Sequence, residues 1–445
     1  MNDSFDPRSY GAVADGHSKD TAAVQAAIGA AATQGGMVRL AGGTFVCGTL
    51  YLKSNVALEI TSSATLLASP DIADYGTDTH HNRYRNEPEL DRCFLFAQDA
   101  ENVTICGSGV IDGNAAAFPN AGSIYRPMLL RVLRCRNVRV QNLRLLNAAA
   151  WTTAFLDSDF IWATDLHIEN HRNYNGDGLD FDGCRHVWVR GCYIDGTDDN
   201  LCLQSSGLPV QDVHISDCAF TSVCAGIRIG LKSIGEISGV VISNCTMRNV
   251  WREGIKLECT EGGSITDILV ENVTMHNVRR PIFAILNNRY RPDDLGSSVE
   301  LDHIPPIGTM ARLRFVGITA VDDEGMAHPQ RRFDNDIMGE PKFGGCRFDA
   351  NAAHPMEDVT IRDFRYTAIG GVRLSDLPAA PYPEVPDRLQ APTTPGSENY
   401  YPNWSRTSHL DARYVRGLTL ENLHFITLHS DERPKMLTEG PTVML

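Results

Sequence analysis

The chain has 445 residues, 42% of them apolar, with 38 Gly, 22 Pro and a formal net charge of −15. An acidic balance of that size excludes nucleic acid or an anionic membrane as the main partner, because both need a basic footprint. No apolar run approaches the roughly 18 residues of a transmembrane helix, and MNDSFDPRSYG has neither the basic nor the apolar region of a signal peptide, so the expectation is a cytoplasmic protein, or a secreted or periplasmic one if a leader has been removed. Composition says nothing about oligomeric state.

Taken in chain order, the first clear element is SKDTAAVQAAIGAAATQGG (18–36). Asp20 is placed to act as N-cap, the Ala-rich run 21–32 predicts a helix, and Gly35-Gly36 stops it. Repeats follow. The segments NVRVQNLRLL (137–146), FIWATDLHI (160–168), HVWVRGCYI (186–194), DVHISDCAF (212–220), GVVISNCTM (239–247) and DILVENVTM (267–275) each hold an apolar alternation, then Asn, Asp or Gly, then a second alternation. Their anchors Val138, Ile161, Val187, Val213, Val240 and Ile268 are spaced by 23, 26, 26, 27 and 28 residues. Weaker copies begin at 102, 312, 358 and 417.

Such a period has no room for the paired helices of a helical solenoid or the four strands of a propeller blade. It fits an all-β fold, a parallel β-helix (β-solenoid) whose coils stack about 4.8 Å apart, taken as right-handed by analogy, with the N-terminal helix as a cap over the exposed sheet edge. The whole chain then forms one body: a cap over 1–50, coils over 51–374, a Pro-rich excursion over 375–410 carrying Tyr400, Tyr401 and Trp404, and a last coil and tail over 411–445. The twelve cysteines include no CxxC pair, and reduced thiols filling the core explain them better than zinc or disulfides.

Each repeat carries a further strand: GLDF (178–181), NLCL (200–203), GIRI (226–229), GIKL (254–257) and PIFA (281–284). Their second and fourth residues are apolar and face inward, so the third faces outward, reading Asp180, Cys202, Arg228, Lys256 and Phe283 on successive coils. Asp177 and the Asp198-Asp199 pair stand at the entrances to the first two strands. Asp195 and Asp217 suit turns, but an Asp-Asp pair one coil from another Asp exceeds what a turn requires. The chemistry that uses such a cluster is acid and base cleavage of a glycosidic bond, one carboxylic acid protonating the leaving oxygen while another carboxylate activates water. Arg228 and Lys256 beyond the acids suit an anionic sugar. His171, Arg172, Trp151 and the run Asn287-Asn288-Arg289-Tyr290 have open alternatives between lining a cleft and ordinary turn or core roles.

Residues 135–290 resemble glycoside hydrolase family 28, the polygalacturonase family, and the opening SYGAVADGHSKDTAAVQAAI is similar to the cap of many pectin-active β-helices. The family's Asn-Thr-Asp motif matches Asn175-Gly176-Asp177, followed by Gly178 and Asp180, and its Asp-Asp motif matches Asp198-Asp199. The resemblance implies a right-handed parallel β-helix and an inverting glycosidase acting on a pectin-type polysaccharide or oligosaccharide, without cofactor or metal. Asp198 would be the general acid, with Asp177 and Asp199 positioning the attacking water. Asn175, Asp180, Arg228, Lys232, Lys256 and Glu258 would contact substrate. Two positions depart from the pattern. The family's Gly-His-Gly falls on Cys224-Ala225-Gly226, and its Arg-Ile-Lys falls on Lys256-Leu257-Glu258, so a histidine is absent and a glutamate stands where the second cation belongs. Arg228 or Lys232 would supply the missing charge. The runner-up expectations are a polysaccharide lyase on the same fold, which needs Ca²⁺ and a basic residue, and a carbohydrate-binding β-solenoid without catalysis.

Overall fold

The computed structural model describes residues 4–79, 90–119, 126–288, 305–327, 344–379, 385 and 404–440. The chain is a right-handed parallel β-helix, and the ladders among the described residues are parallel. It divides into two units, Met1–Asp198 and Asp199–Leu445, each built of stacked coils. In the first unit Val103, Val138, Ile161 and Val187 lie one above another. In the second a corresponding column runs through Val213, Val240, Ile268, Leu313, Val359 and Leu418. Within each unit the anchors of the sequence repeat are therefore neighbours on paired strands, and the weak copies belong to these columns.

Two corners explain the Asn, Asp and Gly that punctuate each repeat. The residue before every anchor is left-handed: Asn102, Asn137, Phe160 and His186 in the first unit, then Asp212, Gly239, Asp267, Arg312, Asp358 and Gly417 in the second, with φ between 52° and 70°. So is the residue four beyond each anchor from Asn142 to Asn422. This region is nearly free of cost for Gly and mild for Asn and Asp. Where it is occupied by larger groups, neighbouring contacts offset the strain. Phe160 and His186 stack at 4.4 Å and 5°, and Arg312 holds Asp267 in two bonds of 2.6 and 2.7 Å. Asn side chains also bond up the column, Asn137 Nδ2 to Asn102 Oδ1 at 2.6 Å and Asn102 Nδ2 to Asn55 Oδ1 at 2.8 Å.

Alternation then buries one side of every strand. Phe155 and Phe181, each 0% exposed, stack on adjacent coils at 5.0 Å, while eleven of the twelve free thiols are buried. The helix forms over Thr21–Gln34, inserting Val24, Ala27, Ile28 and Ala31 against the first coils. Asp20 stands at its N-cap but does not cap it with its side chain. Its carboxylate instead accepts from the Val13 and Ala14 amides at 2.7 and 3.0 Å, tying the preceding loop down. The strand Gly36–Leu40 already pairs with Val56–Ile60, so regular coiling begins before residue 51. No helix among the described residues is long and apolar enough to cross a membrane.

Replacing Phe155 by Ala removes a fully buried ring from this ladder and leaves Phe181 facing a cavity. A loss of about 3–5 kcal/mol in unfolding free energy is expected from urea denaturation, and a loss under about 1 kcal/mol would contradict the packing described.

Candidate active site

In the first unit the strand Leu179–Asp182 lies on Thr153–Leu156, with Asp180 directly above Ala154. Asp180 belongs to a row that runs Phe96, Arg131, Ala154, Asp180. Asp177, Asp180 and Asp198 are all within 4% of full burial. The loop leading to them is tied to the coil beneath: Thr152 N donates to Asp177 O at 2.9 Å, Asn173 Nδ2 to Ala149 O at 3.0 Å and Asn170 Nδ2 to Ala150 O at 2.8 Å.

Asn175 sits in the left-handed region at φ 55° and bridges Arg126 and Asp198. Its Oδ1 accepts from Arg126 Nη2 at 2.8 Å, which turns its Nδ2 toward Asp198 Oδ2 at 3.5 Å. Arg126 is fully buried, and its Nη1 also donates to Tyr174 O at 2.5 Å. The sequence carries no sign of this arginine's role, because it stands outside every motif and reaches Asn175 only through the stacking of coils.

Gly176 occupies the middle of the Asn-Thr-Asp motif for a steric reason. A Cβ there would collide with Thr197 Oγ1 and lie 2.8 Å from Asn170 O. Thr197 uses that hydroxyl to accept from Gly176 N at 3.1 Å and donate to Asn173 O at 2.7 Å. A threonine hydroxyl is thus present here, supplied from position 197.

In the second unit the outward row has the expected register, Cys202, Arg228, Lys256, Phe283, and continues through Arg347 and Asp411. Asp199 is 0% exposed and receives Arg228 Nη1 at 2.6 Å. The outward positions are covered rather than open: Lys256 is 2% exposed and Arg347 0%. A dense ion network accounts for this. Lys256 Nζ lies 3.5 Å from Glu258 and 3.9 Å from Glu253, while Arg252 and Arg280 reach Glu253 at 3.4 and 3.3 Å. Burial works against the charge on Glu253, but Arg252, Lys256, Arg280 and Arg347 hold its carboxyl below the usual range. Burial likewise opposes the Lys256 charge, and Glu258 and Glu253 raise it above the ordinary value. Farther along, Arg347 pairs with Asp349, and Arg406 grips Asp411 at 2.6 and 3.0 Å. Lys232, on the strand Ile227–Ser233, is also buried.

Of the residues with open roles, Trp151 packs in the core cluster with Phe96, Met128 and Leu156. His171 Nε2 faces Asp195 Oδ2 at 3.3 Å, Asp217 is a left-handed corner, and Arg172 is exposed. Asn287 and Asn288 are buried, the latter donating to Pro305 O at 2.7 Å. Arg289, Tyr290, Tyr400 and Tyr401 lie outside the described residues. One described residue of the excursion, Val385, packs on Phe283 and Ile285.

A separate cavity of about 270 Å³ in the second unit is lined by Arg279, Asp322, Tyr366, Ser408 and Arg433 among others, none of them predicted from sequence. Burial pushes the Asp322 carboxyl up to about 7, against the Tyr366 hydroxyl that donates to its Oδ2 at 3.1 Å and the nearby Arg279 charge. The folded state therefore keeps a proton that the unfolded chain releases near pH 4, and stability falls as pH rises from about 4 to about 7. Asp322→Asn is expected to be the more stable form at pH 8 by about 2–4 kcal/mol, with the gap closing toward pH 4 in thermal unfolding; a gap independent of pH would refute the assignment. For the loop, Gly176→Ala is expected to lower turnover at least tenfold by displacing Asn175 and Asp177, while the unfolding midpoint falls by about 1–3 kcal/mol. Unchanged turnover would show that the close approach to Thr197 is not needed.

Residues 44–300 match the family described as Glycosyl hydrolases family 28. The chain is 27% identical over 262 residues to a probable polygalacturonase of Vitis vinifera, covering 52% of each chain. It is 25% identical over 243 residues to an exo-poly-alpha-D-galacturonosidase of Dickeya chrysanthemi, covering 43% of this chain and 40% of that one. The matched part thus spans about half or less of these relatives. In three dimensions the chain is similar to an exopolygalacturonase of Thermotoga maritima, with a TM-score of 0.69 at 18% identity over 96% of this chain and 92% of the other, a likeness that concerns the fold. The family match covers more than half of the sequence and includes both aspartate motifs, and the chain belongs to family 28 of the glycosyl hydrolases.

Proposed function

We propose that the protein hydrolyses a pectin-type polysaccharide or oligosaccharide, containing galacturonate or rhamnogalacturonan, by a single displacement that inverts the anomeric centre. Asp198 donates its proton to the glycosidic oxygen as the bond to the anomeric carbon breaks. Water, positioned by Asp177 and Asp199, attacks that carbon from the opposite face and gives up its proton to one of these carboxylates. The observation that carries this reading is the different setting of the two consecutive aspartates. Asp198 faces an amide donor from Asn175, itself aligned by Arg126, whereas Asp199 faces the Arg228 guanidinium at 2.6 Å. A guanidinium partner suits a residue that works as an anion. Consecutive carboxylates set in different environments are what a division into acid and base roles requires.

The same geometry bears on the sugar. Arg228 is engaged with Asp199, and Lys256 is set between Glu258 and Glu253, so the cations of this row are largely balanced by the chain's own carboxylates. Asp180, Lys232 and Glu258 complete the proposed substrate-contacting set.

Product analysis over homogalacturonan and rhamnogalacturonan fragments, with NMR detection of the anomer first released, tests substrate and stereochemistry together. Release of the inverted anomer is expected. Asp198→Asn should reduce turnover by about 10²–10⁴-fold with the unfolding midpoint nearly unchanged. Full activity in that variant, or a retained anomer, would overturn the mechanism, and an unsaturated product would indicate a lyase.

A further inference from the structure

The first unit presents a second chemical feature, on a sheet other than the one bearing Asp180. The strands Arg136–Gln141, Asp159–Thr164 and Arg185–Arg190 pair in register, so that Arg136, Asp159 and Arg185 form one outward row and Arg139, Trp162 and Trp188 the next. Trp162 and Trp188 stack at 5.0 Å and 10°. The Arg139 guanidinium lies 3.9 Å from the centre of the Trp162 ring, and that of Arg136 lies 4.7 Å from the centre of Phe160. Phe160 reaches this position only because it occupies the left-handed corner at φ 56°.

Charge on this face runs against the rest of the molecule. Arg136, Arg139, Arg185 and Arg190 project from its three strands, with Asp159 among them and Asp165 at the corner beside Arg190, on a chain of net charge −15. Asp159 is shared by His186 at 2.6 Å, Arg136 at 3.4 Å and Arg185 at 3.7 Å, and the two arginine side chains remain 58% and 50% exposed. One rung below, Glu101 stands opposite Arg136. A guanidinium laid on an aromatic face loses rotamer freedom before any ligand arrives, while its in-plane N–H groups stay directed outward and can grip a carboxylate in two bonds. Two such groups already ordered reduce the entropic cost of binding. Arg136 and Arg185 stand two coils apart on either side of Asp159, so a ligand that presents carboxylates at intervals can meet both.

We propose that this face docks a polyuronate chain, an extended polysaccharide carrying one carboxylate per sugar, at a place distinct from the aspartates assigned to hydrolysis. The complementarity is between ordered arginines and repeated carboxylates, and a neutral polysaccharide lacks the charge to use it. The proposal does not depend on the catalytic assignment, since docking needs no turnover.

Affinity electrophoresis of Asp198→Asn protein through gels containing sodium polygalacturonate, with dextran gels as the neutral comparison, provides the test. Retardation is expected in polygalacturonate only, weakening as salt rises. The reversal Arg136→Glu with Arg185→Glu should raise the apparent Kd on the order of tenfold, with the unfolding midpoint kept because both side chains are exposed. Arg362→Glu with Arg416→Glu, an equal change in net charge at exposed sites in the second unit, should stay within about twofold. In the otherwise unmodified enzyme, hydrolysis of short oligosaccharides should be the same with and without the first reversal. No retardation of the parent, equal loss in both double variants, or no loss in the first would each overturn the docking face.

Discussion

Backbone hydrogen bonding between successive coils is the constraint from which the rest follows. It holds residues some 23 to 28 apart in the chain within one strand spacing of each other, and it fixes which side of each strand faces the core. Inward positions must then be apolar in every coil. Outward positions are released from that demand and can carry charge. Columns such as Val213, Val240, Ile268 and Leu313 are the cost of the architecture, and rows such as Arg228, Lys256 and Arg347 are what it makes available.

The corners show how closely local chemistry follows this constraint. A left-handed residue before the anchor and another four beyond it recur on coil after coil, and Asn, Asp and Gly fill most of them. Where Phe160, His186 or Arg312 intrude, a stacked ring or a two-bonded carboxylate stands beside them. Strain is accepted at these corners only where an outward side chain gains a defined partner. The same logic operates at Gly176, where Thr197 takes the space that a side chain would need.

Buried charge is the other theme. Ion pairs with little exposure have a desolvation cost that attraction offsets only when each group is well partnered. The cluster of Arg252, Glu253, Lys256, Glu258 and Arg280 meets that requirement by sharing Glu253 among three cations. Removing any single member leaves a buried charge short of a partner, so such a network is sensitive to sequence at every position. This gives a physical reason for a glutamate at 258: it supplies a counter-charge to Lys256 at 3.5 Å in a place that water scarcely reaches.

Much of this was legible in the amino-acid sequence. The anchors from Val138 to Ile268 emerge from periodicity alone, because a two-residue alternation and a turn residue at fixed offset are demanded by the coil itself. Asp177, Asp198 and Asp199 stand out for the complementary reason, since an Asp-Asp pair one coil from another Asp exceeds what turns require. The N-terminal helix also reads directly, though the work of Asp20 does not: its carboxylate holds the amides of Val13 and Ala14 instead of the helix. What only tertiary structure decided is which distant groups meet. Arg126 reaches Asn175 across 49 positions, Arg280 reaches Glu253 across 27, and Arg347 joins the outward row after long insertions that hide its register. Burial of Lys256 was settled in the same way. Periodicity tells which side of a strand a residue faces, but whether that side meets solvent depends on chain segments that obey no period.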